Sequence, residues 1–498
     1  MNGRDGTGNP SASTSADSES ARAVDASSSV GAHERLGDDI ATEQGDALIL
    51  FGITGDLARR RLFPALYELT AAGELDVPVI GVARAKGDSE FLRQSVADAL
   101  DRVVDDVDPV VFEALASRLM FVSGDYRDPA TFDEIKQRVG DRRCAVAYLA
   151  IPPDLFDDVV EAMATAGLNH NGRIVVEKPF GRDTESARKL NEIIHRHYPE
   201  SSVYRIDHFL GKEALQNLMV YRFSNTILEP IWNRHYVRGV QITMAESFGA
   251  EGRGAFYDSV GTLRDVVQNH LLMLMALLAM EPPVSDHSDN LRDERAKVLS
   301  ATRALAPTDV VAGQYADYRE EPGVDPQSRT ETFLAARFEI DSWRWAGVPW
   351  IIRAGKGLSS TVTEAVVEFN RPPRLHFANE SATPGPNRLT FQSKPTDRIT
   401  LSMQAKQPGP GMVSRPVDLA LTETDEQDPG HDSYRRLLGD ALRGDESLFA
   451  REDGVMDAWR IVEPVLDRDN SPFIYQRGSW GPSEADRLLG DDWEWITK

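Results

Sequence analysis

The sequence predicts a chain of two unlike halves: an α/β domain built on a parallel sheet, then a larger α+β domain with a mainly antiparallel sheet. Three observations carry this. Up to about residue 203, short apolar runs alternate with amphipathic stretches, the pattern of a parallel sheet covered on both faces. Beyond it, strand-like runs follow one another with apolar and polar residues alternating, as in an antiparallel sheet with one wet face. The 498 residues also suffice for two sizeable cores, and no internal repeat is visible.

In order, residues 1–45 are rich in Ser, Ala, Gly and Asp and nearly devoid of large apolar side chains. They cannot bury enough surface to offset ordering entropy, so a disordered, acidic, Ser-rich tail is expected. The first domain is expected over 46–203. It opens with an apolar strand at 47–51, a glycine turn and a helix through Leu69. Further strands are "VPVIGVAR", "LMFVSGDY", "CAVAYLAIPP" and "RIVVEKPFG". The helices between and after them are "FLRQSVADALDRVVDDV", "LFDDVVEAMATAGL" and "TESARKLNEIIHRHY".

The second domain, 204–498, begins with "YRIDHFLGKEALQNL". This reads as an amphipathic helix whose front crowds Arg205, Asp207, His208, Lys212 and Glu213 together. Strands are expected in "VRGVQITMAES", "TETFLAARFEI", "VPWIIRAG", "TEAVVEFN", "NRLTFQSKP" and "DRITLSMQAK". Helices are expected in "TLRDVVQNHLLMLMALLAM", "SYRRLLGDALRG" and "DGVMDAWRIVEPVLD".

The formal charge of -24 argues against nucleic acid as a partner. No apolar run is long enough to span a bilayer and no secretory h-region is visible, so no membrane partner is expected. The single cysteine, Cys144, rules out an internal disulfide and suits a cytoplasmic protein. An anionic ligand would need cations gathered locally against the overall field.

"FGITGDLA" follows an apolar strand and opens a helix, the setting of a Rossmann-like dinucleotide turn. Its spacing is G-x-x-G-x-x-A, with Gly52, Gly55 and Ala58, which departs from G-x-G-x-x-G. Gly52 permits the tight turn, Gly55 lets the backbone approach a pyrophosphate, and Ala58 lets the helix sit close to the sheet. The second strand ends at Arg84 where NAD enzymes carry an acid, and a cation suits the 2′-phosphate of NADP+. Lys178 ends another strand, and Pro179 restrains it. His208 and Lys212 stand four apart, on one face if helical, and would hold a phosphate near a helix N-terminus. Asp207 would face elsewhere. Asp265 and His270 precede a very apolar helix, and a carboxylate that fixes a histidine's tautomer makes a general base.

"GITGDLARRRLFPAL", "EKPFG", "YRIDHFLGKE", "EGRGAFYDSVGTLRDVVQNHLL", "IIRAGKGL" and "DAWRIVEPVLD…YQRGSWGPSEAD" together resemble the glucose-6-phosphate dehydrogenase family, in family order over about 46–498. The resemblance implies oxidation of glucose 6-phosphate at C1 to the 1,5-lactone with hydride transfer to NADP+, the first step of the oxidative pentose phosphate pathway. It implies His270 as general base and Asp207 as its carboxylate partner. Lys178, His208, Lys212, Glu246, Asp265 and Lys356 would bind substrate. Gly52, Thr54, Gly55, Asp56, Leu57, Ala58, Arg59, Arg84, Asp125, Tyr126 and Lys178 would bind coenzyme. No metal is implied. A homodimer or homotetramer is expected.

Four positions depart from the family pattern. Ala245 and Ser247 flank Glu246 where "KEPFG"-like residues are common, Thr361 replaces a second basic residue, and Lys394 stands where many members have glutamine. Two other readings remain at this stage: a related dehydrogenase for another sugar, and a silent NADP-binding paralogue.

Overall fold

The structure, a computed structural model, describes residues 44–373, 385–422, 429–466, 471–491 and 493–497. The expected tail therefore lies outside the described residues except for 44 and 45. Gly45 donates its N–H to Leu442 O at 2.7 Å, so the fold already begins there.

Among the described residues, the strands of the first half are β1 (Ala47–Phe51), β2 (Val79–Ala83), β3 (Leu119–Ser123), β4 (Ala145–Leu149), β5 (Arg173–Glu177) and β6 (Val203–Ile206). Those of the second half are β7 (Val237–Ala245), β8 (Val310–Tyr315), β9 (Phe333–Phe338), β10 (Trp350–Gly355), β11 (Val362–Phe369), β12 (Arg388–Lys394), β13 (Arg398–Lys406), β14 (Ser414–Thr422), β15 (Phe449–Ala450) and β16 (Phe473–Tyr475). They form a seven-stranded sheet, β15-β6-β5-β4-β1-β2-β3, and a nine-stranded sheet, β14-β13-β12-β11-β7-β10-β9-β8-β16.

The first sheet is parallel except for β15, which pairs antiparallel with β6. β1, β2 and β4 are buried along their whole length, which is why they read as unbroken apolar runs. The expected boundary at 203/204 is crossed twice. β6 extends the parallel sheet into the segment read as a helix, and β15 adds a strand from far along the chain. The described residues group as one compact unit, and the halves share the seven-stranded sheet through β6 and β15.

The segment read as one helix, 91–107, is helical only as far as Leu100, within a helix Ser89–Leu100, and then turns; a second helix, Pro109–Ala116, begins beyond it. The latter and Pro129–Val139 were not anticipated from their prolines. In both, an aspartate caps the helix and proline takes its first position, where no intrahelical N–H is needed. Asp108 accepts from Val110 N–H and Asp128 from Ala130 N–H, so part of the acidic excess caps helices.

The second sheet is mainly antiparallel, as expected, but β7 with β10 and β8 with β16 are parallel. β8, β14 and β16 were not anticipated. β14 contains Pro416 and lies at the sheet edge, where a missing N–H is tolerated.

Candidate active site

The parallel pairs place the ionisable residues. β5 and β6 run side by side with Glu177 opposite Ile206, so the next residues, Lys178 and Asp207, emerge together at the carboxyl ends. β7 and β10 pair with Ala245 opposite Gly355, so Glu246 and Lys356 emerge together in the same way. Gly52, Arg84 and Asp125 follow β1, β2 and β3 closely at the same edge of the first sheet. Carboxyl ends of parallel strands are where such sheets collect ligands.

The segment "YRIDHFLGKE" is not helical as expected. Arg205 lies on β6 and is buried, and residues 207–212 form a turn. The helix starts only at Glu213 and runs to Phe223, with Lys212 at its N-cap. His208 and Lys212 still line one cleft, because the turn, rather than a helical face, brings them together. Asp207 Oδ1 accepts from Phe209 N–H at 3.0 Å, which fixes the carboxylate within the turn.

His270 comes from the opposite side. The expected helix start at 263–271 is a π-helical widening, Leu263–Leu271, that continues into the fully buried helix Leu272–Ala279. In a helix of π pitch, residues five apart share a face, so Asp265 and His270 point the same way. His270 Nδ1 lies 2.5 Å from Asp207 Oδ1. Its Nε2 lies 2.8 Å from Lys178 Nζ, which also donates to Asp265 O at 3.1 Å and stands 3.9 Å from Asp265 Oδ1. An ammonium can only donate, so Nε2 is the unprotonated acceptor and the Nδ1 proton faces Asp207. The ring is buried and held in the tautomer that keeps a lone pair toward the strand ends.

The electrostatics agree with that assignment. Burial lowers the pKa of His270, Lys178 lowers it further, and Asp207 opposes both. Burial disfavours charge on Asp207, yet His270, His208 and Lys178 outweigh it and hold the carboxyl well below the usual range. His208 is pushed well below an ordinary histidine by burial and then by His270 and Lys178, with Asp207 opposing.

Glu246 and Lys356 form a second pair. Lys356 Nζ donates to Glu246 Oε2 and stands 5.2 Å from the Phe248 ring centroid and 5.1 Å from that of Tyr257. Two of the departures meet one another. Ser247 N–H donates to Thr361 Oγ1 at 3.1 Å, and the two hydroxyl oxygens lie 3.0 Å apart.

A cleft of about 590 Å³ opens on His208 and Lys212 and is walled by Arg60, Arg61, Arg253 and Lys394, with Asp56 and Asp397 as its acids. It is the local cationic excess that an acidic chain needs for an anion.

At the glycine turn, Gly52 has φ +79 and a Cβ there would lie 2.1 Å from Ala150 O, so only glycine lets β1 turn beside β4. A Cβ on Gly55 would stand 3.1 Å from Gly52 O. Ala58 is fully buried. The helix opening at Asp56 presents N–H groups without intrahelical partners, beside Thr54 and Leu57 and the exposed Arg59. Tyr126 is buried: its hydroxyl accepts from Gly52 N–H at 3.0 Å and donates to Val82 O at 3.3 Å. It braces the turn from beneath, whereas Arg84 and Asp125 are exposed at the strand ends. A bare backbone crest, free N–H groups and arginines fit a dinucleotide carrying an extra phosphate.

Two residues were missed. Tyr434, from the helix Pro429–Arg443, stacks on His208 with centroids 6.3 Å apart and planes 10° apart. Glu177 accepts from Tyr148 Oη at 2.6 Å; burial pushes its pKa up to about 7 against hydrogen bonds from Tyr148 and Tyr434. Nothing near Tyr434 in sequence marks it, whereas Glu177 directly precedes Lys178.

Comparison with known proteins gives one answer. Residues 49–217 match the family model described as glucose-6-phosphate dehydrogenase, NAD binding domain, and residues 219–496 its C-terminal domain. The chain is 42% identical to glucose-6-phosphate 1-dehydrogenase 1 of Mycobacterium tuberculosis over 448 residues, 89% of this chain and 94% of that one. It is 43% identical to the Mycolicibacterium smegmatis glucose-6-phosphate 1-dehydrogenase over 480 residues, 89% and 96% of the two chains. The crystal structure of glucose-6-phosphate 1-dehydrogenase from Mycobacterium avium superposes with a TM-score of 0.85 at 42% identity, covering 91% of this chain and 99% of that one. A glucose-6-phosphate dehydrogenase solved with glucose 6-phosphate superposes at 0.84 and 33% identity, with the same coverage.

Proposed function

The chain belongs to the glucose-6-phosphate dehydrogenase family, and from that premise we propose how its residues oxidise glucose 6-phosphate at C1 to 6-phospho-D-glucono-1,5-lactone with NADP+. The observation that carries the reading is His270, buried between Asp207 and Lys178 with its Nε2 lone pair directed away from the carboxylate.

His270 Nε2 takes the proton of the C1 hydroxyl as C1–H leaves with its electron pair and C1–O becomes a carbonyl. NADP+ supplies the hydride acceptor, C4 of its nicotinamide. For the hydroxyl to reach Nε2, Lys178 must give up its own bond to that atom; it then remains beside Asp265, within reach of substrate and coenzyme. Asp207 keeps the Nδ1 proton in place and stabilises the imidazolium that forms. Glu246, Asp265 and Lys356 hold sugar hydroxyls. His208 and Lys212 hold the 6-phosphate. Gly52, Thr54, Gly55, Asp56, Leu57, Ala58 and Arg59 form the pyrophosphate crest, braced by Tyr126, with Arg84 and Asp125 at the adenosine end. A sugar dehydrogenase acting on an unphosphorylated substrate would leave the cationic cleft without a role.

The test is absorbance at 340 nm. Growth with glucose 6-phosphate and NADP+, and far less with glucose or with NAD+, is expected. Coenzyme binding without turnover, or a preference for glucose, contradicts the reading.

The same reading takes the protein as a cytoplasmic homodimer or homotetramer. Leu419 and Leu421 leave an apolar strip exposed on β14, and among the described residues no helix is long and apolar enough to cross a membrane. Light scattering of Leu421→Asp should report a smaller particle than the native chain; an unchanged native mass of one chain removes the proposal.

A further inference from the structure

Three ionisable groups outside the active site converge from distant parts of the chain. His195 ends the helix Thr184–His195, Glu200 opens the short helical turn Glu200–Ser202 before β6, and Glu452 opens the helix Glu452–Val462 after β15. None of them lines the cationic cleft. His195 Nε2 lies 3.0 Å from Glu452 Oε2 and 3.3 Å from Glu200 Oε2. One ligand atom of each residue lies within 4.8 Å of the others. Nδ1 of the same ring faces Tyr198 O at 3.1 Å. A carbonyl only accepts, so Nδ1 carries a proton and Nε2 turns to the carboxylates. Glu200 is clamped through its other oxygen: Oε1 accepts from Arg205 Nη1 at 2.7 Å and from Glu452 N–H at 2.8 Å. Its Oε2 is buried and accepts no hydrogen bond among the described residues.

We propose that His195, Glu200 and Glu452 form a structural site for a divalent transition-metal ion of the zinc class, with water completing the shell. A proton alone does not satisfy this arrangement. A second proton on the ring makes one N–H at Nε2; Glu452 at 3.0 Å takes it, and the buried Glu200 Oε2 is left without a bond. A divalent ion draws on both carboxylates and the ring lone pair at once. Bonds of about 2.0–2.2 Å to one ion put neighbouring ligand atoms about 2.8–3.6 Å apart, over octahedral to tetrahedral angles. Both distances from His195 fall in that range, and rotation of Glu452, the most exposed of the three, closes the remaining edge. The outer contacts are those of metal ligands: an imidazole Nδ1–H held by a carbonyl, and a carboxylate fixed by an arginine and a backbone N–H. The nitrogen ligand favours zinc over magnesium or calcium, which take oxygen shells. All three side chains are partly exposed, so an ion has a way in. The ion would fasten the helix Glu452–Val462 to the helix Thr184–His195 and take no part in the proton and hydride steps.

The experiment strips the full, untagged chain with a chelator, dialyses it against Zn2+ and reads bound metal by elemental analysis. Asp207, His208 and His270 also bring ligand atoms within 4.8 Å of one another, so stoichiometry alone does not assign the ion. Variants do. Zinc affinity should fall about a hundredfold or more in His195→Gln and about tenfold or more in Glu452→Gln, and stay within about twofold of native in His208→Gln. Added Zn2+ should raise the Tm of the native chain and leave that of His195→Gln where it was, because the ion binds the folded state alone. Should His195→Gln fail to fold, Glu452→Gln carries the same test. kcat of the stripped native enzyme should stay within about twofold of the zinc-loaded one, no transition-state contact being involved. A native chain that takes up no zinc overturns the proposal and leaves the cluster an imidazolium–carboxylate ion pair. Equal zinc affinity in His195→Gln overturns it too. So does zinc lost only in His208→Gln, which would give the ion to the catalytic cluster. An enzyme inert toward glucose 6-phosphate would refute the proposed reaction and leave the metal readout untouched.

Discussion

The two ends of the substrate site are built on opposite principles. At the chemical end, Asp207, His270, Lys178 and Asp265 lie in one connected chain of contacts, with the histidine buried and its tautomer set before any ligand arrives. At the phosphate end, Lys212, Arg253 and Lys394 stand around an open cleft, and two of these cations repel each other. Proton transfer rewards a fixed geometry and a tuned pKa. Phosphate binding rewards unspent positive charge, supplied here against a net charge of -24. Substitutions at the first end should therefore act on turnover, and those at the second on affinity.

The largest expected effect is at the base. His270→Asn should lower kcat by on the order of 10²–10⁴-fold while glucose 6-phosphate still binds, as read by calorimetry. Full activity in that variant would remove the assignment. Asp207→Asn should come next, at about 10²–10³-fold in kcat, because an amide can hold the ring in the wrong tautomer and lends the imidazolium no charge.

The charges around His270 give a sharper test through pH. Lys178 lowers the pKa of His270 and Asp207 raises it. The base must be unprotonated, so kcat/KM falls as pH drops through that pKa. Lys178→Met should move the acid limb to higher pH, and Asp207→Asn should move it lower, besides their losses of rate. Limbs that move the other way would show that these neighbours do not set the base. The smallest effect is at the coenzyme edge. Arg84 is exposed, so Arg84→Ala should raise the KM for NADP+ only about three- to tenfold and narrow the preference over NAD+.

The same contrast governs what could be read from the sequence. The parallel sheet was legible because β1, β2 and β4 are apolar along their whole length, and the glycine turn because Gly52 needs positive φ. Asp207 and His270 were legible through their motifs. The path that joins them was not. The turn at 207–212 reads as a helix in the sequence, since four-residue spacing looks alike in both. The π-helical widening that aligns Asp265 with His270 has no period that separates it from an α-helix over nine residues. The parallel pairing of β7 with β10, which sets Glu246 against Lys356, depends on a connection of about a hundred residues that local patterns do not register. Tyr434 reaches His208 from a helix more than two hundred positions later.

The most direct measurement is steady-state kinetics on glucose 6-phosphate for Asp207→Asn and Lys212→Ala side by side. The two residues lie five positions apart in one turn, one at each end of the site. The expected result is a split: kcat falls by about 10² or more in Asp207→Asn with KM nearly kept, and KM rises about tenfold or more in Lys212→Ala with kcat nearly kept. If both variants lose kcat and KM together in the same proportion, the turn is one functional unit, and the division into a chemical end and a phosphate end is wrong.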